Sequence, residues 1–229
     1  MNVRPAKQRT PDRGAPVNSA RADVLDRIRT ALGPGFDPGE PITRGYRRAG
    51  TAQRGTGEPD LIARFTDRLV DYRAHVLRAS AADVPVGLAA RLAARGLAQV
   101  VVPDGFPAPW LTSVVARQRF GSQVSIADLE GIDGTVSLCA TAVAETGTLV
   151  LDGGPGQGIR ALSLVPDYLL VVVRGEQIVP GVPDAVAALD PRRPLTWISG
   201  PSATSDIELQ RVEGVHGPRT LDVLIVDQS

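Results

Sequence analysis

Apolar positions along the chain recur first at helical spacing and later in unbroken runs. Val24, Leu25, Ile28 and Leu32 follow one another at the i, i+3/i+4 spacing of a helix face, with Ser19 ahead of them and Asp23 in the expected first turn. Gly33-Pro34-Gly35 should end that helix. From Phe36 to Pro59 the pattern dissolves into Gly, Pro and Thr, which predicts an extended arm, with Arg44 and Tyr46 as its anchors. Leu61, Ile62, Phe65, Leu69, Tyr72 and Val76 form the next helical stripe, and an alanine-rich helix follows Asp83 and Val84 and stops at Gly96.

Strand-like runs then take over. Ala98 to Val102 reads as a short buried strand closed by Pro103. Thr135–Ala144, Thr148–Leu151, Tyr168–Val173, Leu195–Ser199 and Leu221–Val226 continue the series, with a short helix between Asp184 and Leu189. Tyr168–Val173 shows little polar alternation, as expected of a strand covered on both faces. Helices alternating with buried strands predict an α/β fold, a mostly parallel sheet flanked by helices, with an N-terminal helix and an extended arm. The predicted organisation is a tail, helix and arm over residues 1–59 and one α/β domain over residues 60–229.

Composition narrows the function classes. The chain has 229 residues, 43% hydrophobic and 22% charged, enough for one substantial core. Its formal net charge of zero gives no global field to attract nucleic acid. No apolar run approaches the roughly 18 residues of a membrane span. The start, polar and rich in Arg and Pro, reads as a tail and lacks the apolar segment of a secretory signal, so a cytoplasmic protein is expected. Lys7 is the only lysine; the arginine bias reads first as genomic background and second as phosphate recognition.

The single cysteine, Cys139, cannot form an internal disulfide or supply the roughly four thiolates of an iron–sulfur cluster. With two histidines, His75 and His216, a zinc site is not expected either. No intrinsic cofactor or metal is predicted; redox chemistry would place the electrons in a partner or a bound cofactor.

Four segments could carry chemistry. Ala144-Glu145-Thr146-Gly147-Thr148 sets a carboxylate beside a glycine between two hydroxyls: a base, nucleophile or ligand-binding turn, or else a plain β-bulge. Asp152-Gly153-Gly154-Pro155-Gly156-Gln157-Gly158 matches no phosphate-binding spacing and reads as a flexible connector, although Arg160 beyond it could meet an anion. Gly200-Pro201-Ser202-Ala203-Thr204-Ser205-Asp206-Ile207-Glu208 follows a predicted strand. Its hydroxyls could bind a carboxylate or phosphate, and Asp206 and Glu208 would share one side of an extended chain; a helix N-cap is the structural alternative. Glu213-Gly214-Val215-His216-Gly217-Pro218-Arg219 presents an imidazole between glycines, with Arg219 placed to clamp an anion.

The last two segments together, followed by an apolar strand, resemble the lactate utilization protein C family, whose members carry the LUD domain. The Ala-Glu-Thr-Gly-Thr segment and Ser163-Leu164-Val165-Pro166-Asp167 fit the same order, as do Asp26-Arg27-Ile28-Arg29 and Arg44/Tyr46. The resemblance implies a fold like the NagB/RpiA/CoA-transferase group. It also implies oxidation of L-lactate to pyruvate together with iron–sulfur partner proteins, which hold the clusters. The resemblance assigns no catalytic residue; from the chemistry of the four segments themselves, Glu145 and His216 are the catalytic candidates. Thr146, Gly147, Thr148, Arg160, Ser202, Thr204, Asp206, Glu208 and Arg219 are the candidates for a small carboxylate or phosphate-bearing ligand. An acyl- or CoA-transferase-like enzyme using Glu145 as nucleophile, and a non-catalytic scaffold docking partners through the arm, stay open beside it.

Overall fold

A computed structural model describes residues 17–34, 43–50, 60–204, 212, 213 and 216–227, and among these described residues there are five α-helices and twelve strands. Two compact units are distinguished, residues 1–46 and 47–229. The first contains helix α1, Val17–Leu32, whose Gly33 turns out of the helix with φ of 76° and donates to the Arg29 carbonyl at 3.2 Å. The helix starts before Ser19, so Ser19 lies inside it and Asp23 falls past the first turn.

In the second unit, Asp60 caps helix α2 (Leu61–Asp71) by accepting from Ile62 N at 3.3 Å. The apolar stripe predicted to run on to Val76 stops at this helix, because Arg73 adopts φ of 67°. Arg73 N donates to Val70 O and Ala74 N to Leu69 O at 2.8 and 2.9 Å, which closes the helix end without a glycine. Val76 therefore lies in strand β1, His75–Ala79, which the sequence pattern did not disclose. Helix α3 (Val84–Ala94) and strand β2 (Gln99–Val102) follow as expected, then the edge strand β3, Arg117–Phe120.

The predicted strand Thr135–Ala144 is two strands in different sheets: β4 (Gly134–Leu138) and β5 (Thr141–Val143). Strand β6 is Thr148–Leu151, helix α4 Arg160–Leu164, β7 Tyr168–Arg174 and β8 Ile178–Val179. Helix α5 (Val182–Ala188) and β9 (Thr196–Ile198) precede a small antiparallel pair, β10 (Ala203–Thr204) with β11 (Val212–Glu213). Strand β12, Thr220–Val226, ends the series.

Six strands form one parallel sheet in the order β1-β12-β7-β4-β2-β3. The expected parallel sheet flanked by helices is therefore present. A second, mixed sheet, β8-β5-β6-β9, lies over one face of it. On that face Phe65 and Leu69 of α2 meet Leu149, Leu169, Val171, Val223 and Ile225 in one buried cluster. On the other face Val84, Leu88 and Leu92 of α3 cover Val100, Leu170, Val172 and Leu224. Each such fully buried aliphatic side chain contributes about 1.5–3 kcal/mol relative to exposure. Burial on both faces is why the central strands read as continuous apolar runs.

Two edges of this sheet carry the candidate residues. At the carboxyl edge the chain leaves β2 toward β3 and leaves the adjacent β4 toward β7, in opposite directions, so the strand order reverses between β2 and β4, the usual place for a ligand crevice. At the amino edge lie the starts of β1, β7 and β12. No helix among the described residues is long and apolar enough to cross a membrane.

Candidate functional site

The glycine-rich segment after β6 lies over the carboxyl edge. Gly156 N donates to the Asp104 carbonyl at 2.7 Å, and Leu138 N, at the end of β4, donates to the Gly156 carbonyl at 2.8 Å. Gly156 has φ of 75°, and a Cβ there would fall 2.5 Å from a Leu138 methyl, so only glycine fits. Asp152 N donates to the Gln157 side-chain oxygen at 2.7 Å, and Gly154 N to Asp152 Oδ1 at 2.9 Å. The segment expected to be a flexible connector is thus tied down by its own side chains and by two strand ends.

Arg193, from the loop before β9, pairs with the other Asp152 oxygen. Beside this pair opens a cleft of about 320 Å³, lined by Arg160, Arg193, Asp152 and Ser163 with Leu151, Ile159 and Pro194 as its apolar walls. Arg160 is exposed at the start of α4, and its guanidinium makes no ion pair or hydrogen bond among the described residues. A cleft of about 330 Å³ on the other side of the loop is lined by Asp104 and Ser122 and shares Arg193.

Glu145 and its neighbours occupy the turn between β5 and β6. Glu145 receives both terminal nitrogens of Arg47, at 3.1 and 2.9 Å. That hydrogen-bonded pair raises the Arg47 pKa further. Thr146, Thr148 and Ser199 form a chain of hydroxyls, 2.7 and 2.8 Å apart in succession. Gly147 has φ of 62°, and a Cβ on it would come within 2.7 Å of Arg68 Cβ, so the glycine lets the turn pack on α2. Close to the Arg47–Glu145 pair, Gly50 N donates to Asp184 Oδ1 at 2.7 Å.

Ser202, His216 and Arg219 come together on the amino side of the parallel sheet. Ser202 Oγ accepts from His216 N at 3.1 Å, and Ser202 N donates to the Pro218 carbonyl at 2.8 Å. Arg219 faces Asp167 at 3.4 Å, just ahead of β7. Thr204 is described only by its backbone, in β10; Asp206 and Glu208 lie outside the described residues. The predicted residues therefore fall into three groups: the Glu145 turn, the Ser202–His216–Arg219 loop, and Arg160 in its cleft. Among the described residues no hydrogen bond or ion pair joins one group to another.

A fourth polar cluster escaped sequence reading. Asp222, with no exposed surface, accepts from Arg91 of α3, from Arg95 just past the end of that helix, and from the Tyr168 hydroxyl at 2.8 Å. Nδ1 of His75 lies 3.0 Å from Arg95 and 3.3 Å from Asp222. Burial pushes the Asp222 carboxyl up, but the bonds from Arg91, Arg95 and Tyr168 outweigh it and hold it below its ordinary range. Burial, helped by the Asp222 carboxylate, holds the Tyr168 hydroxyl far above the ordinary phenol range. The available signal was an aspartate interrupting an apolar strand, Leu221-Asp222-Val223, opposite arginines four apart at the end of α3.

No set of three or more His, Cys, Asp or Glu residues that could hold a metal ion occurs among the described residues. Cys139 is buried, which pushes its thiol up to about 12.

The chain resembles known proteins along most of its length. The LUD domain model matches residues 113–226, which takes in the glycine loop, the Glu145 turn and β12. A lactate utilization protein C from Deinococcus radiodurans is 47% identical over 214 residues, covering 90% of this chain and 95% of that protein. One from Geobacillus thermodenitrificans is 24% identical over 79% of this chain and 84% of its own length. The crystal structure of a DUF162 family protein from Deinococcus radiodurans superposes with a TM-score of 0.61 at 42% identity, covering 72% of this chain and 96% of that one. With near-full-length identity to a named member and a shared fold, the chain belongs to the lactate utilization protein C family, whose domain is the LUD domain.

Proposed function

We propose that this chain is a component of an L-lactate utilization system, acting in the cytoplasm in the oxidation of L-lactate to pyruvate together with iron–sulfur partner proteins, and that it binds a small carboxylate or phosphate-bearing ligand. The observation that carries this reading is the 47% identity to a lactate utilization protein C along 90% of the chain. The chemistry agrees with a division of labour. Converting a hydroxy acid to an oxo acid releases two electrons and two protons, and the one buried cysteine of this chain cannot ligate a cluster to accept them.

Ligand binding is supported by the cleft beside the glycine loop, where Arg160 offers an exposed guanidinium at the carboxyl edge of the sheet. The Glu145 turn and the Ser202–His216–Arg219 loop are polar surfaces that this reading assigns to contact with the partners. Acyl transfer through Glu145 gains no support from the geometry, because Arg47 engages both carboxylate oxygens.

The test is co-purification from the native host, followed by lactate-dependent dye reduction with and without this chain. Iron–sulfur proteins should co-purify, and removal of the chain should abolish reduction. A chain that purifies alone, and whose removal leaves lactate oxidation intact, overturns the proposal.

A further inference from the structure

The two clefts flanking the glycine loop differ in charge, and the difference selects a ligand class. In the first, the charged lining groups are Asp152, Arg160 and Arg193, so one carboxylate and two guanidiniums leave a single positive charge. Asp152 already holds Arg193 in place, and its second oxygen is occupied by Gly154 N. Arg160 has no such partner among the described residues. In the second cleft Asp104 and Arg193 leave no net charge, and the Asp104 carboxylate, which accepts from Ser122 Oγ at 3.0 Å, faces any incoming anion.

We propose that the first cleft is a binding site for a small monocarboxylate, with Arg160 forming the carboxylate pair and Arg193 fixed by Asp152 behind it. This rests on the lactate-utilization reading and deepens it by naming the ligand class and the place. A monoanion matches the single net charge; a phosphate dianion would leave an excess negative charge beside Asp152. The volume of about 320 Å³ lies at the lower end of ligand cavities, which suits an acid of a few carbons better than a nucleotide. Leu151, Ile159 and Pro194 give a small apolar substituent a wall to pack on. Ser163 Oγ donates to the Arg160 carbonyl at 3.1 Å, which leaves its lone pairs to accept from a ligand hydroxyl.

The experiment is calorimetric titration of the full chain at pH 7 with L-lactate and, separately, with inorganic phosphate. L-Lactate should bind with one site per chain, phosphate more weakly. Arg160→Gln should weaken L-lactate by at least about tenfold, as loss of a charge-assisted pair does, and Arg219→Ala should leave it unchanged. Arg160 is exposed and its guanidinium makes no hydrogen bond or ion pair among the described residues, so an unaltered melting temperature should accompany the loss. Tighter binding of phosphate than of lactate, no binding of lactate, or binding lost in Arg219→Ala but kept in Arg160→Gln each overturns the assignment. Lactate-dependent dye reduction separates the two levels. If the assembled system requires the chain while the chain binds no lactate, the cleft assignment falls and the system-level reading stands. If lactate binds through Arg160 while the system runs without the chain, the site stands and that reading falls.

Discussion

The Tyr168 hydroxyl donates to the Asp222 carboxylate at 2.8 Å, where the first residue of β7 meets the third of β12, in the register that aligns Tyr168 with Thr220. This bond closes a buried group in which a negative charge at the sheet is neutralised by Arg91 of α3 and Arg95 at its C-cap. Arg95 also stacks on the Tyr168 ring, its guanidinium carbon 5.9 Å from the centroid. The cluster fastens α3 to the parallel sheet at the amino edge.

Removing Asp222 leaves two guanidiniums without their buried partner, so Asp222→Ala should destabilise the chain by about 3–5 kcal/mol, and Tyr168→Phe by about 1–3 kcal/mol. The sign with pH follows from the depressed Asp222 carboxyl. Its stabilising contribution is fully present above the unfolded aspartate value of about 3.9 and is lost as pH falls through the lower folded value. Urea unfolding midpoints between pH 3 and 7 should show a smaller acid-side loss in Asp222→Asn than in the wild type. Parallel curves for the two would refute this.

Gly147→Ala should lower the unfolding free energy by about 1–3 kcal/mol. The backbone at Gly147 has a positive φ of 62°, and the added Cβ would meet Arg68 within 2.7 Å. Thermal denaturation of the variant measures it, and a midpoint equal to the wild type would mean that the turn and α2 move apart freely.

Arg47→Ala should leave the unfolding midpoint close to that of the wild type, since the pair with Glu145 is largely exposed. Glu145 should then become more reactive toward a carbodiimide with an added amine, scored by peptide mass spectrometry. Equal labelling of Glu145 in both proteins would show that Arg47 does not shield it.

Cys139 should react slowly with maleimide in the native protein at pH 8, because burial pushes its thiol up to about 12 and closes access to it. Denaturant should bring the rate to that of a free thiol. Fast native labelling would indicate local opening between β4 and β5.

The sequence by itself determined the elements whose signal is local. The runs Gln99–Val102, Thr148–Leu151, Tyr168–Val173 and Leu221–Val226 are apolar because both faces of each strand are covered, and they could be read as strands in isolation. The family motifs were equally legible, since they are matters of residue order. Tertiary structure alone decided the rest. Arg73 ends α2 in a left-handed conformation that composition does not announce, and so β1 stayed hidden behind a helical stripe. Cys139 and Ala140 carry the chain from one sheet to the other without breaking the apolar run from Thr135 to Ala144. The division of the predicted site into three groups, and the pairing of Asp222 with arginines 127 and 131 positions away, depend on which strand ends and helices the fold brings together. Charge neutralisation at such distances along the chain is a property of packing, and no local pattern encodes it.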